Sequence, residues 1–255
     1  MPRLGLGVWR IDNSKVSQVV GWALDTGYRH IDTACAYKNE DGVGRGVRDS
    51  GISRDKIFIT TKLAVQDFFH PRKAFNTSLS KLKMDYVDLY LLHWPFLNWK
   101  NAWWELEKIY QEGLAKSIGV SNFSIAQLTE LKNLGGLIPA VNQVELSPFL
   151  NRQELVKYCQ SEGIIVECYS PLTRGKRLRD SRLADMAASY KKSPAQIIIR
   201  WGLQHDFVII PKSSTQEHLK SNFDVFDFEL KPPDMKTLDS LNENYTALFP
   251  LWSRK

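Results

Sequence analysis

The sequence is poor in several things, and each shortage narrows what the protein can do. Cysteine is scarce: Cys35, Cys159 and Cys168 are the three in 255 residues, without a CxxC spacing. So few, so scattered, argue against a disulfide framework or a structural metal, and for a reducing compartment. There are five histidines, and His93 alone falls plainly at a strand end, too few for a metal-dependent barrel hydrolase. No apolar run approaches the roughly 20 residues a membrane helix needs, and no basic segment followed by an apolar stretch opens the chain. A cytoplasmic protein without a membrane partner is expected. Charge of one sign is not concentrated: 34 basic and 28 acidic residues leave +6, dispersed along the chain. A nucleic-acid partner would need a stripe or cluster, so an anionic small ligand accounts better for the excess. Finally, no GxGxxG follows a strand. Gly42-Val43-Gly44-Arg45-Gly46 lies in a helical stretch, which argues against a dinucleotide-binding Rossmann unit.

What is present is an alternation. Short β-branched and aliphatic runs at 4–9, 28–33, 57–61, 87–92, 115–120, 140–146, 164–169 and 207–210 read as strands. Between and after them, helical periodicity marks 15–25, 40–48, 71–82, 102–111, 125–134, 152–162, 182–189, 194–203, 216–221 and 232–241. Asn13-Ser14 offers an N-cap to the first helix, and Ser193-Pro194 a cap and first-turn proline to a later one. Eight strands separated by helices imply a parallel sheet. The even count, and the lack of a Gly/Ser/Pro-rich linker, favour a closed eight-stranded barrel rather than an open sheet, with residues 1–255 as a single α/β domain. The predicted fold is a (β/α)8 TIM barrel with extra C-terminal helices and a tail.

Polar residues collect where the strands stop: Asp32 and Tyr37 after the second, Lys62 after the third, His93 after the fourth. In a parallel barrel that is the face where catalytic groups gather. A lone strand-end Asp is more often a helix cap and a lone Tyr more often half-buried core. Three consecutive strand ends carrying carboxylate, phenol, amine and imidazole instead describe a proton-transfer site. A phenol with an ordinary pKa of about 10 needs a cation to stabilise its phenolate. Lys62 supplies one, Asp32 holds Lys62, and His93 can donate a hydrogen bond to a carbonyl oxygen.

At this point the sequence resembles a family. Gly5-Leu6-Gly7-Val8-Trp9, Tyr28 to Ala34, Tyr37, Thr61-Lys62-Leu63, Leu92-His93-Trp94-Pro95, Ile118 to Phe123, Asn142 to Glu145, Tyr169-Ser170-Pro171-Leu172 and Ile210-Pro211-Lys212-Ser213 stand in the order of an aldo-keto reductase. The resemblance covers almost the whole chain. It implies a (β/α)8 barrel that binds NADP(H) and transfers hydride to or from a carbonyl carbon. It further implies Asp32, Tyr37, Lys62 and His93 as the catalytic set, with Tyr37 the general acid in reduction. Ser121, Asn122 and Gln143 match the residues holding the nicotinamide carboxamide, and Tyr169 the ring on which nicotinamide stacks. Ser170, Pro171 and Leu172 begin the loop over the pyrophosphate. Lys212, Ser213 and Ser214 match the 2′-phosphate site, with His218 and Asn222 near the adenosine. A monomer is the implied oligomeric state.

Several departures from the family pattern matter. His218 stands where an Arg commonly helps bind the 2′-phosphate, and Ser221 where an acid is usual. A neutral imidazole is a weaker phosphate clamp than a forked guanidinium, so the preference for NADP(H) over NAD(H) is expected to be reduced. Ala64 replaces a frequent Trp, which would open one pocket wall. The chain begins almost at its first strand, so the usual N-terminal hairpin is expected to be missing or abbreviated. The predicted substrate pocket is apolar and aromatic, lined by Trp9, Trp94, Phe68 and Phe96, and suits small-molecule aldehydes and ketones. The helical setting of Trp99, Trp103 and Trp104 reads as packing. Leu248 and the residues through Trp252 are expected to fold over the barrel mouth. The competing reading is a non-catalytic NADP(H)-binding relative with a regulatory or structural role.

Overall fold

The computed structural model describes residues 1–248. Strands and helices alternate as β1 (Leu6–Gly7), α1 (Asn13–Thr26), β2 (His30–Asp32), α2 (Glu40–Asp49), β3 (Phe58–Leu63), α3 (Pro71–Leu82), β4 (Leu89–Leu92), α4 (Trp99–Gln111) and β5 (Ile118–Ser121). They continue as α5 (Ile125–Asn133), β6 (Val141–Glu145), α6 (Gln153–Ser161), β7 (Ile165–Tyr169), α7 (Ser181–Tyr190), α8 (Pro194–Gln204) and β8 (Val208–Ile209). The helices α9 (Gln216–Phe223) and α10 (Pro232–Asp239) follow. The eight strands form one sheet in sequence order, every neighbouring pair parallel. The chain at β8 lies beside the chain at β1. Gly5 N donates to Ile209 O at 2.9 Å, Ile209 N to Arg3 O at 2.8 Å and Gly7 N to Pro211 O at 3.2 Å. A Cβ on Gly7 would stand 2.9 Å from Ile210 O, so only glycine permits this approach.

The strand period of two decides which residues meet inside. On β2 it places His30 and Asp32 on one face, on β3 Thr60 and Lys62, on β6 Val141, Gln143 and Glu145, and on β7 Glu167 and Tyr169. All of these but Tyr169 are buried. On β4, Leu89 and Leu91 join Val141 in a small apolar cluster, while Tyr90 and Leu92 face the main core. The inner layer is therefore apolar toward one end and ionisable toward the other.

The helices bury the stripes their periodicity predicts. α1 buries Val16, Val19, Val20, Ala23 and Leu24, and α4 buries Trp99, Ala102, Trp103, Leu106 and Ile109. Trp103 is wholly buried, with its indole N–H on Glu107, whereas Trp104 is 48% exposed. Pro194 starts α8 behind a capping box of Ser193 and Gln196. The N-cap of α1 differs from expectation. Asp12 occupies it without a side-chain bond, and Asn13 Oδ1 accepts from Gly42 N instead, at 2.8 Å. Tertiary packing of α2 on α1 outcompetes the cap.

That packing explains the glycines of α2. A Cβ on Gly42 would meet Val16 Cγ1 at 2.3 Å, on Gly46 Ser17 O at 2.6 Å, and on Gly44 Leu82 O at 2.1 Å. The last obstacle is backbone at the end of α3 and cannot swing away. Gly44→Ala is therefore expected to destabilise the protein. Overpacking of about 1–3 kcal/mol exceeds the roughly 1 kcal/mol that alanine gains in helix propensity. A thermal melt of the variant beside wild type checks this; an equal or higher Tm would show that α3 yields.

Among the described residues no helix is long and apolar enough to cross a membrane, and no group of three or more His, Cys, Asp or Glu is placed to hold a metal.

Candidate active site

Lys62 is the centre of the site. Its side chain is fully buried, and its ammonium donates to Asp32 Oδ1 at 2.6 Å, Asp32 Oδ2 at 2.8 Å and Thr33 O at 2.8 Å. Tyr37 Oη lies 3.5 Å from the same nitrogen. Asp32 Oδ2 also accepts from Gln143 Nε2 at 2.8 Å. Burial raises the Asp32 pKa against the pull of Lys62. Burial would lower that of Lys62, yet the charge of Asp32, with Tyr37 and Glu167, raises it overall. Since the two shifts favour different protonation states of the pair, geometry decides. A carboxylate accepting this many short bonds is an ion-pair partner.

Tyr37 ends a single 3₁₀ turn, Cys35–Tyr37. The loop is tied down by Asn39, a fully buried residue that the sequence did not single out. Asn39 Nδ2 donates to Val8 O and Ile11 O, each at 2.9 Å, and Thr33 Oγ1 donates to Asn39 Oδ1 at 2.9 Å. The Tyr37 ring stands edge-on to His93, centroids 5.8 Å apart. Burial raises the Tyr37 pKa, and the opposing effect of Lys62 is smaller. Lys62 thus acts with the expected sign without making the phenol acidic. Burial, then Lys62, lowers His93 to about 3, so its imidazole is neutral.

Beyond this group, Asn122 adopts a left-handed backbone, φ 66°, which asparagine tolerates. Its Nδ2 donates to His93 O at 3.1 Å and Ser121 Oγ at 2.9 Å, and its Oδ1 accepts from Tyr169 Oη at 2.8 Å. Ser121 Oγ donates to Gln143 O at 2.8 Å. Gln143 Nε2 has two hydrogens, and two carboxyl groups take them: Asp32, and Glu167 Oε2 at 2.9 Å. Its Oε1 is left to accept.

A cavity of about 820 Å³ runs past these residues. It brings together Trp9, Asp32, Tyr37, His93, Trp94, Ser121, Asn122, Gln143, Tyr169, Ser170, Pro171, Leu172, Lys212, Ser213, Ser214, His218, Asn222 and Leu248. Lys62 lies buried behind Tyr37. Two predicted wall residues are elsewhere. Phe68 is 1% exposed, packed into the core because the turn after β3 folds it inward, with its carbonyl accepting from Asn98. Phe96 is 40% exposed and does not line the cavity. Ala64 is buried and does not line it either. The tail expected over the mouth falls, beyond Leu248, outside the described residues.

The cavity also has walls that the sequence did not announce. Arg10 and Arg174 stand at 4.5 Å and 5.3 Å from the Trp9 ring. The loop bearing Arg174 is strained: Ser170, Thr173 and Arg174 have φ of 48°, 49° and 54°. Each such residue costs on the order of 1–3 kcal/mol, and strain of this kind gathers at ligand clamps. Among the described lining residues the cations are Arg10, Arg174 and Lys212, and the one carboxylate, Asp32, is already paired. The described lining thus carries an excess of cations, which suits a phosphorylated cofactor. Lys212 Nζ donates to Ser214 Oγ at 3.1 Å just before α9, whose N-cap Thr215 accepts from His218 N. A lysine, two serines and a helix N-terminus suit a phosphate.

Comparison with known proteins agrees. The model of the Aldo/keto reductase family matches residues 3–243. The "Uncharacterized oxidoreductase YtbE" of Bacillus subtilis is 49% identical over 252 residues, 96% of this chain and 90% of that protein. The "Glyoxal reductase" of the same organism is 45% identical over 248 residues, again 96% and 90%. The crystal structure of a Bombyx mori aldo-keto reductase in complex with NADP superposes with a TM-score of 0.93 at 34% identity, covering 98% of this chain and 92% of that one.

Proposed function

The chain belongs to the aldo/keto reductase family and is an NADP(H)-dependent oxidoreductase that reduces carbonyls, and on that premise we propose how its own residues carry the reaction. One observation carries the reading: the phenol of Tyr37 faces the cavity beside a buried Asp32–Lys62 pair and a neutral imidazole. Bound NADP(H) supplies the hydride. Tyr37 gives its proton to the carbonyl oxygen as that oxygen gains charge, and Lys62, held by Asp32, stabilises the phenolate left behind. His93, neutral, donates one N–H to the same oxygen and fixes its direction. Water is kept away by Trp9 and Trp94. Gln143 Oε1 and the Ser121–Asn122 pair hold the carboxamide, and Tyr169 offers its ring face to the nicotinamide.

The same proposal covers the setting. The β1–β8 hydrogen bonds support a closed (β/α)8 barrel formed as one domain, acting as a monomer in the cytoplasm. The substrates are small aldehydes and ketones, a class in line with the glyoxal reductase relative. Consumption of NADPH with a panel of small aldehydes tests this; no turnover despite tight NADPH binding would overturn it.

His218 lies on the exposed first turn of α9. With Lys212 as the remaining cation there, His218→Arg is expected to raise the preference for NADPH over NADH by about 10–100-fold, the range of one added charge-assisted hydrogen bond. The ratio of kcat/KM with the two cofactors measures it, and an unchanged ratio would place the 2′-phosphate away from α9.

A further inference from the structure

Behind the catalytic pair lies an ionisable group that the mechanism does not use. Glu167 is the central residue of β7, fully buried, and the register partner of Gln143. Its Oε2 accepts from Gln143 Nε2 at 2.9 Å, while its Oε1 has no hydrogen-bond partner and lies 3.6 Å from His30 Nε2. His30 is itself bound to Thr60 Oγ1 at 3.0 Å, and burial lowers its pKa to about 3. It is a neutral neighbour and cannot balance a carboxylate.

The charges around Glu167 can be enumerated by element. β2 contributes Asp32 and neutral His30, β3 contributes Lys62, and the turn after β2 contributes Tyr37. β7 itself adds the buried thiol of Cys168, which burial holds protonated. β6 contributes the neutral Gln143; Glu145, two residues on along the same face, is level with Tyr169 and accepts from Ala247 N. Val208, the register partner of Glu167 on β8, and Gly7, which shares the inner face with Asp32 on β1, do not titrate. One ammonium thus faces two carboxyl groups, and Asp32 already takes three donated bonds from Lys62 and Gln143. Burial, then the charge of Asp32, raises the pKa of Glu167 to about 8.

We propose that Glu167 is a positioning residue for the proton-donating site: it takes the second N–H of Gln143, so that Oε1 is presented to the cavity, and it stays protonated so that Lys62 serves Asp32 and Tyr37 alone. The proposal rests on the reading of Tyr37 as proton donor. When Glu167 releases its proton to solvent at higher pH, a second negative charge appears beside Lys62. Its field disfavours the phenolate of Tyr37 and so weakens proton donation. Reduction then slows without any change at Tyr37 itself.

The test is the pH profile of aldehyde reduction by wild type and Glu167→Gln, an isostere of the protonated acid. Wild-type kcat/KM is expected to fall through about pH 8, by up to about tenfold at one pH unit above it. Glu167→Gln should match wild type near pH 6 and lack this fall. A second neutral variant, Glu167→Leu, should also lack it but bind NADPH more weakly, since one N–H of Gln143 then has no acceptor. Stability gives a separate readout. A carboxyl with a raised folded-state pKa favours folding below its unfolded value and loses that advantage as pH rises to its folded value. Wild type should therefore lose Tm relative to Glu167→Gln between about pH 4.5 and 8. A Glu167→Gln profile that keeps the alkaline fall overturns the proposal. So does failure of both neutral variants to fold, which would assign Glu167 a structural role. If Tyr37→Phe also leaves activity intact, the reading of Tyr37 fails first.

Discussion

Replacing Tyr37 by phenylalanine is expected to lower kcat by about 10²–10⁴-fold, the range typical of one general acid, with little change in NADPH affinity. The structure separates the two effects. Among the described residues the Tyr37 hydroxyl has one polar contact, the 3.5 Å approach of Lys62. Lys62 keeps Asp32 and Thr33 as acceptors when that hydroxyl is removed. The ring's edge-on contact with His93 survives in phenylalanine, so the site keeps its shape. Because burial raises the Tyr37 pKa, the wild-type phenol is fully protonated at neutral pH and the loss should be equally large across that range. Steady-state kcat and the quenching of tryptophan fluorescence by NADPH measure the two quantities. A variant that keeps kcat within a few-fold of wild type would remove Tyr37 from the proton path.

How legible this was in the sequence depended on where each residue sits along its strand. Asp32, Lys62 and His93 stand at strand ends, where a polar residue breaks an apolar run, and the break is visible. Helix α3 was bounded at 71–82 because Pro71 sets its first turn. Glu167 was missed because it is a single inward position inside Ile164-Ile165-Val166-Glu167-Cys168-Tyr169, and one strand does not reveal what its face meets. The available signal was the glutamate itself: a carboxylate between apolar neighbours in a buried strand needs a partner. Phe68 failed for the opposite reason, since a loop aromatic can fold inward or line a pocket and local sequence does not choose. β1 and β8 are shorter than the runs 4–9 and 207–210 predict, because part of the pairing between these two segments is made as isolated bridges, Leu4 with Ile209 and Gly7 with Lys212.

The Asp32–Lys62 pair invites a test in which stability and catalysis part company. Lys62→Met strands the Asp32 carboxylate in the interior with the Gln143 amide as its remaining donor. Breaking a buried pair in this way costs about 3–5 kcal/mol, the largest stability effect expected for this site. The loss should depend on pH. Without its cation, Asp32 has a folded-state pKa raised still further. It therefore favours folding below its unfolded value, about 4, and that stability disappears as pH rises through the raised value. Urea midpoints of Lys62→Met should thus lie closest to wild type in acid and diverge toward neutral pH. Adding Asp32→Leu removes the stranded charge, and the double variant should recover most of the midpoint, since apolar replacement of a buried pair is often neutral or stabilising. Activity should not recover. Both variants lack the ammonium that stabilises the Tyr37 phenolate, and each should stay down by about 10²-fold or more. Recovery of stability without recovery of turnover would assign the pair to chemistry rather than to folding. Recovery of both would mean that Tyr37 gives up its proton without Lys62.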